Sequence, residues 1–248
     1  MVDHINNNAV QSAASGITQG IYEESSSQKG PVGTLLELED GRRFRYARFA
    51  AAAAAGILVA PDESATALAE TDNVMTAAAI GATSVLITTA ALDSAVADQF
   101  AGCYLNITDD AGEGYQYRIK GNNADQGSDD VTFELFDGLV VAVSTASDCA
   151  ILANRWNGVV GATAATDFNV SGVTARVMQS GFFGWVQTTG LALILADGSI
   201  AVGDNLTLSD GVAGAIQLKD AETEALIGAA AYAPDTTGHC GVRLYGLE

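Results

Sequence analysis

The stretch "GEGYQYRIKGNNADQGSDDVTFEL", residues 112–135, decides the class of fold, because apolar and polar residues alternate on either side of a polar insert. The apolar residues of each run would share one face of a strand, and they are Tyr115, Tyr117 and Ile119, then Val131, Phe133 and Leu135. A period of two residues is typical of a half-buried β-strand. The stretch therefore predicts a β-hairpin with a long polar loop over residues 121–130.

The same pattern of short strand-like runs continues along most of the chain from about residue 74. Only residues 49–70 and 92–103 offer room for more than a turn or two of helix. Asp-Gly pairs, which favour tight turns, lie beside strand-like runs at residues 40–41, 137–138, 197–198 and 210–211. The sequence therefore predicts an all-β protein, mainly of antiparallel sandwich or barrel units, with one or two short helices and a flexible N-terminal arm.

The pair Asp40-Gly41 marks the first predicted hairpin. A two-residue loop would place Leu38 opposite Arg43 and so mix core with surface, since cross-strand partners share a face. An odd-length loop centred on Gly41 keeps the two faces apart. It pairs Leu38 with Phe44 and Leu36 with Tyr46 on an apolar face, and Glu39 with Arg43 and Glu37 with Arg45 on a charged face.

Composition divides the chain into three predicted parts. Residues 1–30 are rich in Asn, Ser and Gln and lack periodicity, which indicates a flexible arm that orders only on a partner. Small and turn-forming residues accumulate over residues 154–172 and suggest a boundary there. We therefore expect a β-rich domain with short helices over residues 31–157 and a C-terminal β domain over residues 158–248.

The net charge is −19, from 11 basic and 30 acidic residues. Phosphate backbones and anionic lipids repel such a chain, so neither nucleic acid nor membrane is an expected partner. The longest apolar run, residues 49–60, is too short to cross a bilayer, which needs about 20 residues. The first residues lack the basic and apolar regions of a secretory signal, so we expect synthesis in a cytoplasm.

Side chains that commonly carry catalysis are few. The two histidines are His4, in the predicted arm, and His239, next to Cys240. Neighbours on a strand point to opposite faces, so His239 and Cys240 are not expected to form a nucleophile pair. Together with Cys103 and Cys149, Cys240 is expected to be a buried, reduced thiol, because the wide spacing fits neither a disulfide framework nor a zinc site.

Oxygen-rich turns are the remaining candidates for chemistry. The loop "NNADQGSDD", residues 122–130, offers many oxygen ligands but lacks the alternating acidic spacing and closing glutamate of a calcium loop. The acidic pairs at 109–110 and 129–130 fall in predicted turns, where aspartate is expected for backbone reasons. The sequence therefore predicts no metal, no cofactor and no enzymatic activity.

Four arginines, Arg42, Arg43, Arg45 and Arg48, form the one local departure from the acidic character of the chain. The predicted charge ladder accounts for Arg43 and Arg45 and leaves the other two without a partner. The cluster is therefore a candidate site for docking on an acidic partner, with a purely structural ladder as the alternative.

Three aromatic residues, Phe182, Phe183 and Trp185, form a second candidate site. Adjacent residues on a strand face opposite sides, so one of Phe182 and Phe183 is expected at the surface or at a subunit contact. The alternative is that both phenylalanines are buried between two layers.

Several segments resemble structural proteins of tailed bacteriophages, in particular head decoration (cement) proteins. They are "DGRRFRYARFAAAAAAG" (40–56), "ADQFAGCYLNITDDAGEGYQYRIKGN" (97–122), "ANRWNGVVG" (153–161) and "GWVQTTGLALILADGSIAVGDNLTLSDGVAGA" (184–215). The resemblance covers most of residues 34–246. It consists of glycine and turn patterns, and no functional residue of the family can be carried over to this chain.

The resemblance implies a β-rich protein that binds the outside of an assembled capsid and reinforces it, often as a trimer. The expected partners are then the major capsid protein and further copies of this chain, and the expected location is the surface of the virion. Two other classes stay open at this point. One is a tail or fibre component, which would share the composition, and the other is a carbohydrate-binding or carbohydrate-cleaving protein, for which the two tryptophans are few.

Overall fold

The computed structural model describes residues 16–62, 74–127, 129–163, 169–233 and 238–247. Strands make up 40% of the chain and helical turns 2%, and no helix reaches seven residues in the described ranges. The prediction of an all-β protein is therefore confirmed.

The strands, in chain order, are β1 (Leu35–Glu37), β2 (Arg43–Arg48), β3 (Leu58–Pro61), β4 (Val74–Met75), β5 (Ser84–Thr88), β6 (Tyr104–Ile107), β7 (Gln116–Asn122), β8 (Asp130–Leu135), β9 (Cys149–Leu152), β10 (Val159–Gly161), β11 (Gly172–Thr174), β12 (Phe183–Ala196), β13 (Asn205–Leu208), β14 (Ile216–Leu218), β15 (Gly228–Tyr232) and β16 (Gly238–Leu244). Ala90–Leu92 forms a short 3-10 turn. The two candidate helices are therefore mostly not helical. Residues 92–103 form turns after that 3-10 turn, and residues 49–62 form turns and β3, while residues 63–70 lie outside the described ranges.

The chain folds into two compact units. The outer unit combines the chain up to Asp62 with the chain from Gly158, and the inserted unit is Glu63–Asn157. The predicted grouping of residues 31–157 is thus corrected, because residues 31–62 belong with the C-terminal half. The physical reason is strand pairing: β2 pairs with β12, and β3 pairs with β10 and β11. A local pattern predicts a strand but not its partner.

The inserted unit leaves and re-enters the outer unit at adjacent points. Pro61 pairs with Val159 across β3 and β10, and the backbone N–H of Asp62 donates to the carbonyl oxygen of Gly158 at 3.0 Å. Insertions are tolerated where both ends lie close together on a domain that keeps its own core.

Deleting residues 63–157 and joining Asp62 to Gly158 through a short Gly-Ser linker is therefore expected to leave the outer unit folded. The deletion removes Trp156, so Trp185 becomes the single tryptophan. Its fluorescence should keep the blue emission of a buried indole and be lost cooperatively in urea. The full-length Trp156→Phe variant supplies the reference spectrum. Red-shifted emission from the shortened chain, without a cooperative transition, would contradict the expectation.

The long strand β12 organises the outer unit. Its first half pairs with β2 on one side and β11 on the other. Its second half pairs with β16, and Ala196 at its end pairs with Ile216 of β14. Because β14 pairs with β13, β13 with β15 and β15 with β16, the ring of pairings closes into a small barrel. Closure leaves the barrel strands without a long free edge.

The inserted unit is a six-stranded sheet in the order β4-β5-β8-β7-β6-β9. The predicted hairpin is confirmed as β7, which ends at Asn122, and β8, which begins at Asp130, with a register shift between Ile119 and Gly121. The predicted inward residues are buried, namely Tyr117, Ile119, Val131, Phe133 and Leu135. Tyr115 instead precedes β7, is partly exposed and stacks on Tyr117 with the ring centroids 6.3 Å apart.

The β1–β2 hairpin confirms the odd loop and corrects its register. Leu36 pairs with Phe44 and Glu37 with Arg43, so the loop is centred on Asp40 instead of Gly41. The Asp40 carboxylate accepts from the backbone N–H of Arg42 at 3.0 Å and from its Nε at 2.7 Å. Burial raises the pKa of the Asp40 carboxyl, but these bonds and the charge of Arg42 outweigh it and hold the pKa below its usual range. These bonds between Asp40 and Arg42 set the register of the β1–β2 hairpin, and the alternation of apolar and polar residues does not predict them.

The predicted flexible arm is corrected over residues 16–30, whereas residues 1–15 lie outside the described ranges. Ile17 and Ile21 are buried in a small core with Tyr46 and Trp185. The Gln19 side chain accepts from the Tyr46 hydroxyl at 2.8 Å and donates to the Phe183 carbonyl at 2.8 Å. Such a segment is held by hydrogen bonds and two isolated apolar residues, so it carries no periodic signal.

Candidate functional site

The four predicted arginines do not form one free cationic surface. Arg42 pairs with Asp40, and its guanidinium lies 5.6 Å from the centroid of the Phe44 ring. Arg43 pairs with Glu37 at 3.3 Å. Arg45 donates from Nη1 to the carbonyl oxygen of Gly33 at 3.0 Å. Strand alternation puts Arg48 on the opposite face of β2 from Arg43 and Arg45, so the cluster is divided between two faces.

The three predicted aromatics also have different environments. Trp185 is 1% exposed and packs edge-on against Tyr46, with the ring centroids 5.1 Å apart. It is a core residue that a partner cannot reach. Phe183 is half-buried, and its ring stacks on the ring of Tyr46 with the centroids 6.1 Å apart. Phe182 is half-buried as well, and its carbonyl oxygen accepts from the N–H of Phe49.

An exposed apolar surface of the outer unit lies on the outside of the barrel. Leu191, Leu193 and Tyr232 are 60%, 57% and 61% exposed. We call these three residues the β12 face. Gly241 pairs with Leu193 on one side and with Tyr232 on the other. Because glycine has no side chain, Leu193 and Tyr232 border one shallow gap; a Cβ at position 241 would lie 3.0 Å from the Cβ of Tyr232.

Basic and polar groups border the β12 face. Arg243 pairs with Leu191 across the β12–β16 ladder and is exposed. Within the described residues its guanidinium has no ion-pair partner. His239 pairs with Leu195 on the same outer face, and its Nε2 lies 3.4 Å from the carbonyl oxygen of Ala55. In a chain of net charge −19, this border is a local exception to the acidic surface.

Leu191 and Leu193 of the β12 face form part of the wall of a cleft of about 510 Å³. Its lining is mostly apolar, with an arginine and a histidine at the rim: Tyr22, Arg42, Phe44, Val173, Leu193 and His239. The amide of Gln187 donates to the carbonyl oxygens of Thr189 and Leu191, so these two backbone acceptors are satisfied inside the chain. The cleft is therefore suited to an apolar group of another molecule, with polar contacts at its edge.

The inserted unit has an exposed apolar surface of its own. Ile80, Phe136 and Val140 are each more than half exposed, and we call them the inserted-unit face. Their loops are joined by a hydrogen bond from the N–H of Gly81 to the carbonyl oxygen of Leu139 at 2.7 Å. The guanidinium of Arg118 lies 5.0 Å from the centroid of the Phe136 ring and covers one side of it.

Sequence reasoning missed both faces. The run "LALIL", residues 191–195, is apolar at every position and so predicts a strand without predicting which side is buried. The structure puts Ala192 and Ile194 inside the barrel and Leu191 and Leu193 outside. The signal that the sequence did offer was the run itself, five consecutive apolar residues of which a half-buried strand can cover only alternate ones.

The groups that could carry chemistry are separated. Cys103, Cys149 and Cys240 are buried, as predicted, and no two of them are joined by a disulfide. Burial raises the pKa of the Cys103 and Cys240 thiols, and Asp204 adds to this at Cys240. Cys240 faces the barrel core while His239 is exposed, so the predicted separation of the two is confirmed. Among the described residues, no three potential ligand side chains lie close enough to hold a metal ion.

Comparison of the chain with models of protein families, with curated proteins and with solved structures gives no significant match. No relative therefore assigns a function to either exposed face. In the described part of the chain, no helix is both long enough and apolar enough to cross a bilayer.

Proposed function

We propose that this protein is a structural component of a phage virion, made in the host cytoplasm, which binds the outer surface of the assembled capsid and stabilises it. The observation that carries the proposal is the presence of a separate exposed apolar face on each of the two units. Contiguous exposed apolar residues mark surfaces that contact other proteins. The resemblance of residues 40–56 and 184–215 to head decoration proteins supports the same function.

Two faces suit the mechanical task of a decoration protein. A shell under internal pressure is reinforced when an added protein bridges neighbouring subunits, and a bridge needs at least two contact surfaces. Burying one side chain of leucine or phenylalanine size contributes about 1.5–3 kcal/mol to the free energy of binding. The loss of freedom when the two partners associate offsets much of this contribution. A single contact of this kind is weak, but its repetition over the symmetric positions of a shell strengthens the whole particle.

Binding to heads tests the proposal directly. Purified protein is mixed with expanded heads of the source phage that lack it, the heads are pelleted, and the bound copies per head are counted. We expect saturation at a number that matches the symmetry positions of the shell. Absence of binding, with the protein found on tails in intact virions, would instead establish a tail or fibre component, and absence from virions would contradict both.

The inserted-unit face is the surface for which we expect the shell contact. The double variant Phe136→Ser, Val140→Ser should weaken head binding about tenfold or more, because two exposed apolar contacts are lost without change to the core. The matched control is Leu152→Ser, which alters an exposed leucine of the same unit. Equal binding by the double variant and the control would remove the inserted-unit face from the proposal.

A further inference from the structure

We infer that Asn157 and Gly158 form a self-modification site, which is unreactive while the inserted unit is folded and reacts once that unit opens. They are the one Asn-Gly pair in the sequence. The reaction is deamidation of the Asn157 side chain, and it leaves a lasting chemical mark on a chain whose inserted unit has opened. The inference goes beyond the proposed function and does not depend on it.

The reaction needs water and no other molecule besides the chain itself. The backbone nitrogen of Gly158 attacks Cγ of Asn157 and loses its proton, the bond from Cγ to Nδ2 breaks, and Nδ2 leaves as ammonia. The cyclic imide that forms takes up water and opens to aspartate or isoaspartate. A glycine after the asparagine favours the attack, because it has no side chain to shield its nitrogen and its backbone rotates most freely.

The folded inserted unit holds the Asn157 side chain away from this reaction. Asn157 is 2% exposed. Its Nδ2 donates to the carbonyl oxygen of Ala101 at 3.1 Å and to that of Gln99 at 3.4 Å, and its backbone N–H donates to the carbonyl oxygen of Asn154 at 2.8 Å. Ring closure turns the side chain toward the Gly158 nitrogen and pulls Nδ2 away from both acceptors. The reaction therefore requires a local opening of the chain.

The opening that matters is that of the inserted unit. The two carbonyl acceptors of the Asn157 side chain, on Gln99 and Ala101, lie within Glu63–Asn157. Gly158 is the first residue of the C-terminal part of the outer unit. The outer unit can therefore loosen without releasing the Asn157 amide, whereas loosening of the inserted unit releases it.

Neither product fits the place that Asn157 occupies. Aspartate at position 157 would replace a donor by a carboxylate oxygen, which the carbonyl oxygens of Gln99 and Ala101 repel, and a buried carboxylate without donors is costly. Isoaspartate adds a carbon to the main chain just before β10, where Val159 pairs with Pro61. Both products therefore oppose the return of the inserted unit to its original packing.

The rate of deamidation in the full-length wild-type protein tests the inference. The protein is incubated at mildly alkaline pH, folded or unfolded in urea, and digested with trypsin. Mass spectrometry then follows the conversion of amide to acid in the peptide 156–176, which Arg155 and Arg176 delimit, and fragment ions separate Asn157 from Asn169. We expect conversion at Asn157 to be at least about a hundredfold slower in the folded protein. Equal rates in the two states would overturn the inference.

Two matched variants identify the unit whose opening controls the reaction. Phe133 in the inserted unit and Phe44 in the outer unit are both fully buried. Phe133→Leu should speed deamidation of the folded protein about fivefold or more, because a weakened core opens more often. Phe44→Leu should leave the rate nearly unchanged. Equal acceleration by the two variants, or none by Phe133→Leu, would contradict control by the inserted unit.

The variant Asn157→Asp carries one product of the reaction from the start and tests whether the mark is lasting. Hydrogen exchange of the β6 and β7 amides should be at least about tenfold faster than in the wild type, because the inserted unit opens more easily around a buried carboxylate. Exchange of the β12 and β16 amides in the outer unit should stay nearly the same. Wild-type exchange in β6 and β7 would show that the product is accommodated, and it would overturn the lasting mark.

Discussion

The substitution Trp185→Ala is expected to lower the free energy of unfolding of the outer unit by about 3–5 kcal/mol, the usual range for removing a large buried aromatic side chain. Trp185 is almost fully buried and packs edge-on against Tyr46. Its Nε1 donates to the carbonyl oxygen of Gln19 at 2.8 Å. The substitution therefore creates a cavity and also leaves a buried carbonyl of the segment 16–30 without its donor.

Hydrogen exchange of the β12 and β16 amides measures this effect within the outer unit alone. The control is Trp156→Ala, which removes the other tryptophan of the chain from the inserted unit and should leave exchange in β12 and β16 nearly unchanged. Trp185→Phe should lose less stability than Trp185→Ala, since the phenyl ring fills part of the cavity. A loss below about 1 kcal/mol in Trp185→Ala would mean that the segment 16–30 does not depend on this residue.

The substitution Gly228→Ala is expected to destabilise the barrel by about 3 kcal/mol. Gly228 lies in β15, opposite β16. A Cβ at this position would overlap the backbone carbonyl oxygen of Arg243 and lie 2.9 Å from Cγ1 of Val242. A backbone atom of a paired strand cannot rotate away as a side chain can, so β15 and β16 must separate and the barrel opens along that ladder.

A second glycine of the outer unit provides the matched control. A Cβ at Gly161 in β10 would meet only Cδ1 of Ile57, at 3.8 Å, which is an ordinary contact. Gly161→Ala should therefore be neutral or stabilise the unit by up to about 1 kcal/mol, through the lower entropy of the unfolded chain. Urea denaturation of the two variants, followed by far-UV circular dichroism, compares them. Equal urea midpoints for the two variants would show that β15 and β16 accommodate the added methyl group without loss of stability.

Prediction from the sequence succeeded where a local pattern was sufficient. Alternation in residues 112–135 predicted the hairpin of β7 and β8 together with its inward side chains. The separation of apolar from charged residues was enough to predict an odd number of residues in the loop of the first hairpin. A two-residue loop would have put Arg43 opposite Leu38 on the buried face. The same pattern did not predict the register of the β1–β2 hairpin, which depends on the hydrogen bonds of the Asp40 carboxylate with Arg42.

Prediction failed where the deciding partner lies far along the chain. Residues 31–62 were grouped with the wrong half, because the pairing of β2 with β12 joins residues about 140 positions apart. Of the candidate site residues, Trp185 is a core residue and the arginines are divided between two faces of β2. The β12 face was missed because every residue of "LALIL" is apolar.

The class of fold, the hairpin of β7 and β8 and the separation of His239 from Cys240 could be predicted from the sequence, because they follow from the two-residue period of a strand. The burial of the three cysteines was predicted instead from their wide spacing, which fits neither a disulfide framework nor a zinc site. The pairing of the strands, the closure of the barrel through β12 and the side of β12 that faces outward could not be predicted, because they depend on the rest of the folded chain. The physical reason is that a strand has two faces and two edges, and the other strands of the sheet settle which of them are covered.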